Sequence, residues 1–256
     1  MYTTPFVSLA NLARRDRLLR AIRGYFQNAG YIEVETPVRI PAPAPEEQID
    51  CPESEGAWLR ASPELQMKRL LAAGAERIYQ MGPCFRRGER GRRHNPEFTL
   101  LEWYHAGVAS DAIRDECCQL IRHVTRELTG GTRFVCQGTP VEVGGTWERL
   151  TVREAFMRWA GWDPVGDWDA DRFDVDLVER VEPQLPRERP CILEGYPAPA
   201  ASLARLDPHD PRVAERWELY LGGMELANAY TELTDDAAQR ERFCAENAAR
   251  RAAGRP

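Results

Sequence analysis

Two β-prone runs, IYQMGPCF (78–85) and EFTLLEWYHAG (97–107), flank the polar stretch RRGERGRRHNP, and this arrangement constrains the fold more than any other in the chain. Apolar and aromatic runs on both sides of a Gly-containing connection predict a long antiparallel hairpin. Five arginines, Arg86, Arg87, Arg90, Arg92 and Arg93, fall within nine residues at its tip. A layer built around such a hairpin needs helices to cover it.

The rest of the chain supplies them in irregular alternation with further strands. Residues 9–29 place Leu12, Leu19, Ile22 and Phe26 at roughly helical spacing, with Gly30 as the C-terminal cap. YIEVETP (31–37) alternates like a strand up to its Thr-Pro stop, and PAPAPEE (41–47) reads as a stiff loop. WLRASPELQMKRLLAAG predicts a short strand, a cap at Ser62, proline at the first helical position and a helix ending before Gly74. Residues 110–128 read as a helix, FVCQGTPVEV as a small hairpin, and TVREAFMRWAG as a helix opened by a Thr151–Glu154 capping box. The acidic, Pro-rich stretch 163–190 is expected to be a peripheral insertion without chemistry. CILEGYPAP and RWELYLGGMELANAYTEL return as strands, and 235–253 closes as a helix. Together these favour an α+β fold, an antiparallel sheet flanked by helices, in one domain over residues 1–256 rather than a doubly wound parallel sheet.

A net charge of −6 and a pI near 5.4 argue against a generally basic nucleic-acid binder, so the arginine cluster has to be read locally. Lys68 is the only lysine. Nearly every cation is therefore a guanidinium, suited to bidentate recognition of carboxylates and phosphates, although a preference for arginine codons gives the same composition. Seven cysteines, at 51, 84, 117, 118, 136, 191 and 244, form no CxxC pair and read as reduced structural thiols. The N-terminus has no signal-peptide core and the chain no long apolar run, which predicts a soluble cytoplasmic protein without a membrane partner.

Arg86 follows Phe85 on the outgoing strand, where a rigid guanidinium can stabilise charge on a phosphoryl group. The tip arginines, loosened by Gly88 and Gly91, can only collect phosphate, and singly each also fits a solvated, salt-bridged tip. His94, Asn95 and Phe98 offer hydrogen bonds and an aromatic face to a planar ring, or Phe98 is a core aromatic. Glu64 stands in the first turn of a helix, where the helix dipole alone explains a carboxylate. Glu102 and Tyr104 share one face of a strand. Glu218, Glu225 and Glu232 recur every seven residues. A bulge at Gly222-Gly223 would bring Glu218 and Glu225 to one face, where they suit a hard cation such as Mg²⁺; exposed strand carboxylates are the plain alternative.

These pieces, in this order, resemble the catalytic core of class II aminoacyl-tRNA synthetases, in the lysyl-tRNA synthetase branch. EVETP matches motif 1, FRRGERGRRHNPEFTLLEWY matches motif 2, and RASPELQMKRL and GGMELANAYTELTD match the amino-acid-binding segments. The chain begins at motif 1 without room for an anticodon-binding OB-fold. In that it resembles the short paralogues that attach lysine, usually as β-lysine, to a lysine side chain of translation elongation factor P. Acylation of lysine tRNA and a non-catalytic lysine-binding role are the alternatives.

The resemblance implies an ATP- and Mg²⁺-dependent ligase. Arg86 would bridge the substrate carboxylate and the α-phosphate. Arg87, Gly88, His94, Asn95, Phe98, Glu225 and Leu226 would line the ATP site, and Glu218 and Glu225 would hold Mg²⁺. Ser62, Pro63, Glu64 and Glu102 would receive the amino end of lysine or β-lysine, Asn228 its carboxylate, and Tyr104 with Glu232 its ε-ammonium. A homodimer through motif 1 is implied as well. Two departures stand out: Gly88 occupies a position that is usually glutamate, with Glu89 next, and the Gly-rich motif 3 with its ATP-clamping arginine does not occur, so the sequence is expected to be part of a longer chain or a degenerate paralogue.

Overall fold

The computed structural model describes residues 8–45, 49–91 and 93–255. The chain opens with helix α1 (Leu9–Asn28) and the short strands β1 (Ile32–Glu33), β2 (Arg39–Ile40), β3 (Glu53–Ser54) and β4 (Ala57–Leu59). Helix α2 (Glu64–Ala72), long strands β5 (Arg77–Phe85) and β6 (Glu97–His105) and helix α3 (Ser110–Thr129) follow. Next come β7 (Arg133–Cys136), β8 (Thr139–Glu142), β9 (Glu148–Thr151), α4 (Val152–Trp159) and α5 (Ala170–Asp176). Strands β10 (Cys191–Pro197), β11 (Val213–Leu221) and β12 (Met224–Tyr230) lead to α6 (Asp236–Ala252).

The elements fall into two compact units, one made of the described residues up to Tyr25 with Val108–Thr234, the other of Phe26–Gly107 with the residues from Asp235 on. In the second unit β5 pairs antiparallel with β6 in unbroken register from Arg77↔His105 to Phe85↔Glu97, which is the expected hairpin. Strand β1 pairs parallel to β5 at only two positions. The rest of YIEVETP, expected as strand, is therefore irregular: Thr36 bonds instead to the side chain of Gln80, its N–H donating to Oε1 at 3.0 Å. Because β1 stops early, the far edge of β5 tolerates Pro83, which has no N–H to give. An aromatic group closes the core, with fully buried Phe26 stacked on Tyr79 (centroids 4.4 Å apart) and tilted against Trp103.

The first unit is a four-stranded sheet in the order β12-β11-β10-β9. Its β9–β10 pair is parallel, so each main sheet carries one parallel pair beside its antiparallel pairing, within the expected α+β fold. Helix α4 opens with the Thr151–Glu154 capping box and buries Val152, Ala155 and Phe156 against Leu193, Tyr196 and Tyr220. The segment 163–190 is a correction to the sequence reading. It forms α5 and tight helical turns, and it places Phe173, Val181 and Leu185 inside this same core. Val175 and Val178 stay exposed, but the three buried residues are enough to tie the segment into the core, which its composition did not suggest.

Candidate active site

In the second unit, two elements deliver the polar groups. Strand β6 alternates Glu102 and Tyr104 onto one face, and the start of α2 brings Ser62 and Glu64. Helix α2 begins one residue later than expected, with buried Pro63 as its N-cap, and the Ser62 hydroxyl still accepts the Glu64 N–H at 3.0 Å. The same hydroxyl donates to Glu102 Oε2 at 2.7 Å, and Tyr104 donates to Oε1 at 2.6 Å. Glu102 thus has both oxygens held by hydroxyls and, among the described residues, no cation bonded to it. Burial, followed by the nearby Glu64 charge, pushes its pKa up to about 7, against the opposing hydrogen bonds of Tyr104 and Ser62 and the charge of Lys68. Glu64 itself is ion-paired to Lys68 at 2.6 Å, which gives it more to do than face the helix dipole.

Arg86 lies just past β5, its N–H donating to the Pro96 carbonyl at 3.0 Å. Its guanidinium carbon sits 5.2 Å from the Phe98 ring centroid, and Glu89 approaches NH1 at 3.9 Å. Nε is buried and has no hydrogen-bond partner among the described residues. A donor desolvated without a partner is costly, so an acceptor placed here would be stabilising. Phe98 thus lies against the arginine beside the strand. Gly88 has φ +78, a conformation that glycine adopts without strain, and the carboxylate one residue on, Glu89, turns to Arg86. Arg87, Arg90, Arg93, His94 and Asn95 are exposed; Arg87 is tied by its backbone N–H to the Asp50 carbonyl. Arg92 lies outside the described residues, as do Glu46 and Glu47 of the expected stiff loop.

Beneath this region runs a cation that sequence reading missed. Arg60 is 1% exposed and donates to the carbonyls of Thr36 (2.8 Å), Pro37 (3.3 Å) and Pro83 (3.2 Å) and to the Thr36 hydroxyl (2.8 Å). It ties the motif 1 segment to the hairpin with neutral acceptors only. In a chain this rich in arginine, nothing in the sequence sets it apart.

In the first unit, Gly222 (φ +63) and Gly223 (φ +79) form the two-residue turn between β11 and β12, and not the expected bulge. The irregularity lies further on: Leu219 pairs with Ala227 and Tyr220 with Glu225, which leaves Leu226 as the extra residue. Since Glu218 pairs with Asn228, that one-residue slip puts Glu225 on the same face as Glu218, Tyr220 and Asn228. The shared face follows from Leu226 and not from the glycine pair. Glu218 is 5% exposed and accepts from Arg216 NH2 (2.7 Å) and Tyr220 Oη (2.9 Å). Leu226 is half exposed. Glu232 is partly buried and bridges to Ala204. Among the described residues no three His, Cys, Asp or Glu side chains form a metal cluster. Two carboxylates on one face nevertheless suit Mg²⁺, which takes one or two and leaves its other positions to water and phosphate.

Mixed sheets flanked by helices, with the motif 2 residues on one long hairpin, are the arrangement that the resemblance to class II synthetases implied. Residues 6–254 match the family described as tRNA synthetases class II (D, K and N), and the chain belongs to that family. Among curated relatives it is 36% identical over 285 residues to the elongation factor P–(R)-β-lysine ligase of Proteus mirabilis, covering 98% of this chain and 82% of that one. The protein of the same name from Vibrio cholerae is 36% identical over 278 residues (96% and 81% covered). That from Hamiltonella defensa is 34% identical over 284 residues (98% and 82%).

Proposed function

We propose that the protein activates lysine or β-lysine with ATP and transfers it to a lysine side chain of elongation factor P. The relatives carry that activity in their names. The observation that carries the reading is Glu102, a carboxylate held by Ser62 and Tyr104 with no cation of its own, which fits the ammonium of a lysine-type substrate. Arg86, with its unpartnered Nε, would hold the substrate carboxylate against the α-phosphate. The carboxylate oxygen attacks phosphorus, the bond to the β-phosphate oxygen breaks, and pyrophosphate leaves. An unprotonated lysine amine of the acceptor then attacks the acyl carbon; AMP departs and the amine proton passes to solvent. Both steps depend on positioning and charge stabilisation rather than on a covalent enzyme intermediate.

Arg87, Gly88, His94, Asn95 and Leu226 would border ATP, with Phe98 offering the ring face that Arg86 leaves. Pro63 and Glu64 would shape the amino-end pocket, Glu232 would take a second ammonium and Asn228 the carboxylate. Glu218 and Glu225 would hold Mg²⁺, which supplies positive charge to the phosphates. The protein would work in the cytoplasm as a homodimer through α1, which exposes Leu9 and Leu12; no described helix is long and apolar enough to cross a membrane.

Amino-acid-dependent ATP–pyrophosphate exchange tests the activation step. Arg86→Ala is expected to lower it by about 10²–10³-fold, as removal of one charge-stabilising donor does elsewhere. Offering the enzyme elongation factor P and lysine tRNA side by side tests the acceptor: acylation of the tRNA alone would overturn the assignment.

A further inference from the structure

We propose that Arg216 is a positioning residue for the amino-acid site, fixing the side-chain amide of Asn228 so that its nitrogen is the atom offered to a substrate carboxylate. The inference rests on the assignment of that carboxylate to Asn228 made above. One guanidinium makes the whole arrangement. Its Nε donates to Asn228 Oδ1 at 3.0 Å, NH2 to Glu218 Oε1 at 2.7 Å and NH1 to the Ala200 carbonyl at 2.7 Å, while its face lies 4.4 Å from the Tyr196 ring centroid. Glu218 and Asn228 are cross-strand partners, so Arg216, two residues before Glu218 on the same face, reaches Asn228 diagonally.

The chemistry follows from what a guanidinium lacks. It has five donors and no acceptor, so the amide atom that meets Nε has to be oxygen. The oxygen is thereby occupied and Nδ2, with its two protons, is turned away from the arginine. Asn228 is exposed and its Nδ2 makes no bond within the described residues, which leaves a neutral donor aimed by a neighbouring cation. A free asparagine could present either atom, and presenting oxygen would repel a carboxylate. The bond to Glu218 gives the guanidinium its fixed pose, and burial makes that pose durable, with a side chain only 17% exposed.

The experiment measures exchange kinetics in Arg216→Met, Asn228→Ala, the double variant and Asn228→Asp, with circular dichroism to verify folding. Each single variant is expected to raise KM for the amino acid roughly tenfold or more, the size of one lost hydrogen bond to a charged group. The double variant is expected to be no worse in KM than Asn228→Ala, because Arg216 acts through Asn228. Asn228→Asp keeps the acceptor for Arg216 but replaces the donor, and should bind the amino acid worse than Asn228→Ala. Multiplying KM effects, or an aspartate that binds as well as alanine, would overturn the proposal. A second readout needs no activity. The Asn228 side-chain amide protons, identified by their loss in Asn228→Ala, are expected to shift and to interconvert faster in Arg216→Lys, since acceptance at Oδ1 stiffens the C–N bond. An unchanged amide signal overturns the positioning role even if the enzyme proves to activate another substrate. Absence of exchange in the unaltered protein, with the amide signal behaving as expected, would instead remove the proposed function and leave the Arg216 geometry standing.

Discussion

Glu102 shows burial outweighing hydrogen bonding at a single side chain. Its carboxyl has an ordinary value of 4.5 and is pushed up to about 7 in the fold. Between those values the folded state holds a proton that the unfolded chain has released, so the stabilising contribution is complete below the lower value and is lost as pH rises through the upper one. Glu102→Gln is therefore expected to raise the melting temperature at pH 8, by an amount corresponding to about 3 kcal/mol, with the gap shrinking at pH 5. Calorimetric lysine affinity should move the other way, rising through pH 7 as the carboxylate ionises. Residues like Glu102 and Tyr104 were legible because a strand's two-residue period puts them on one face. Arg60 and Arg216 were not. Their importance comes from burial and from acceptors distant in sequence, and one arginine among many carries no mark of either.

The hairpin of β11 and β12 makes the corresponding point for elements. A Gly-Gly pair between apolar runs is compatible with a bulge or a turn, and the choice depends on what lies across from it. At Gly222 an added Cβ would come 2.8 Å from Cys136 Sγ, so the turn is both left-handed and crowded by β7. Gly222→Ala should cost on the order of 1–3 kcal/mol in a denaturant titration. Deleting Leu226 is a sharper test, because removing the extra residue straightens the strand and leaves Glu225 opposite Tyr220, on the face of Glu218. Metal-dependent exchange should then persist with the sheet's circular dichroism, and its loss would count against the pairing of Glu218 with Glu225. Local signals fared better: the Thr151–Glu154 box needed only a three-residue spacing to be read, and Thr151→Ala is expected to cost about 1 kcal/mol. Strand β1 was overextended in prediction because pairing, which propensity does not report, ends after Glu33.

Across the whole molecule, the order of motifs identified the family before any coordinates, while the division into two units and the inward packing of 163–190 depended on contacts far apart in sequence. The exposed Leu9 and Leu12 of α1 are the side chains that the proposed dimer would cover; Leu12→Asp is expected to convert a dimeric sedimentation boundary to a monomeric one at micromolar concentration. The ion pair of Lys68 with Glu64 has a further bearing on an enzyme that would generate an activated acyl group beside its own side chains. Arginine does not form amides under such conditions, and Lys68 is the only lysine in the sequence. Apart from the terminal amine, a stray acyl group has one internal amine to reach, and there the nitrogen is clasped by the Glu64 carboxylate. A mass shift on the intact protein after turnover would therefore report leakage at Lys68 almost by itself.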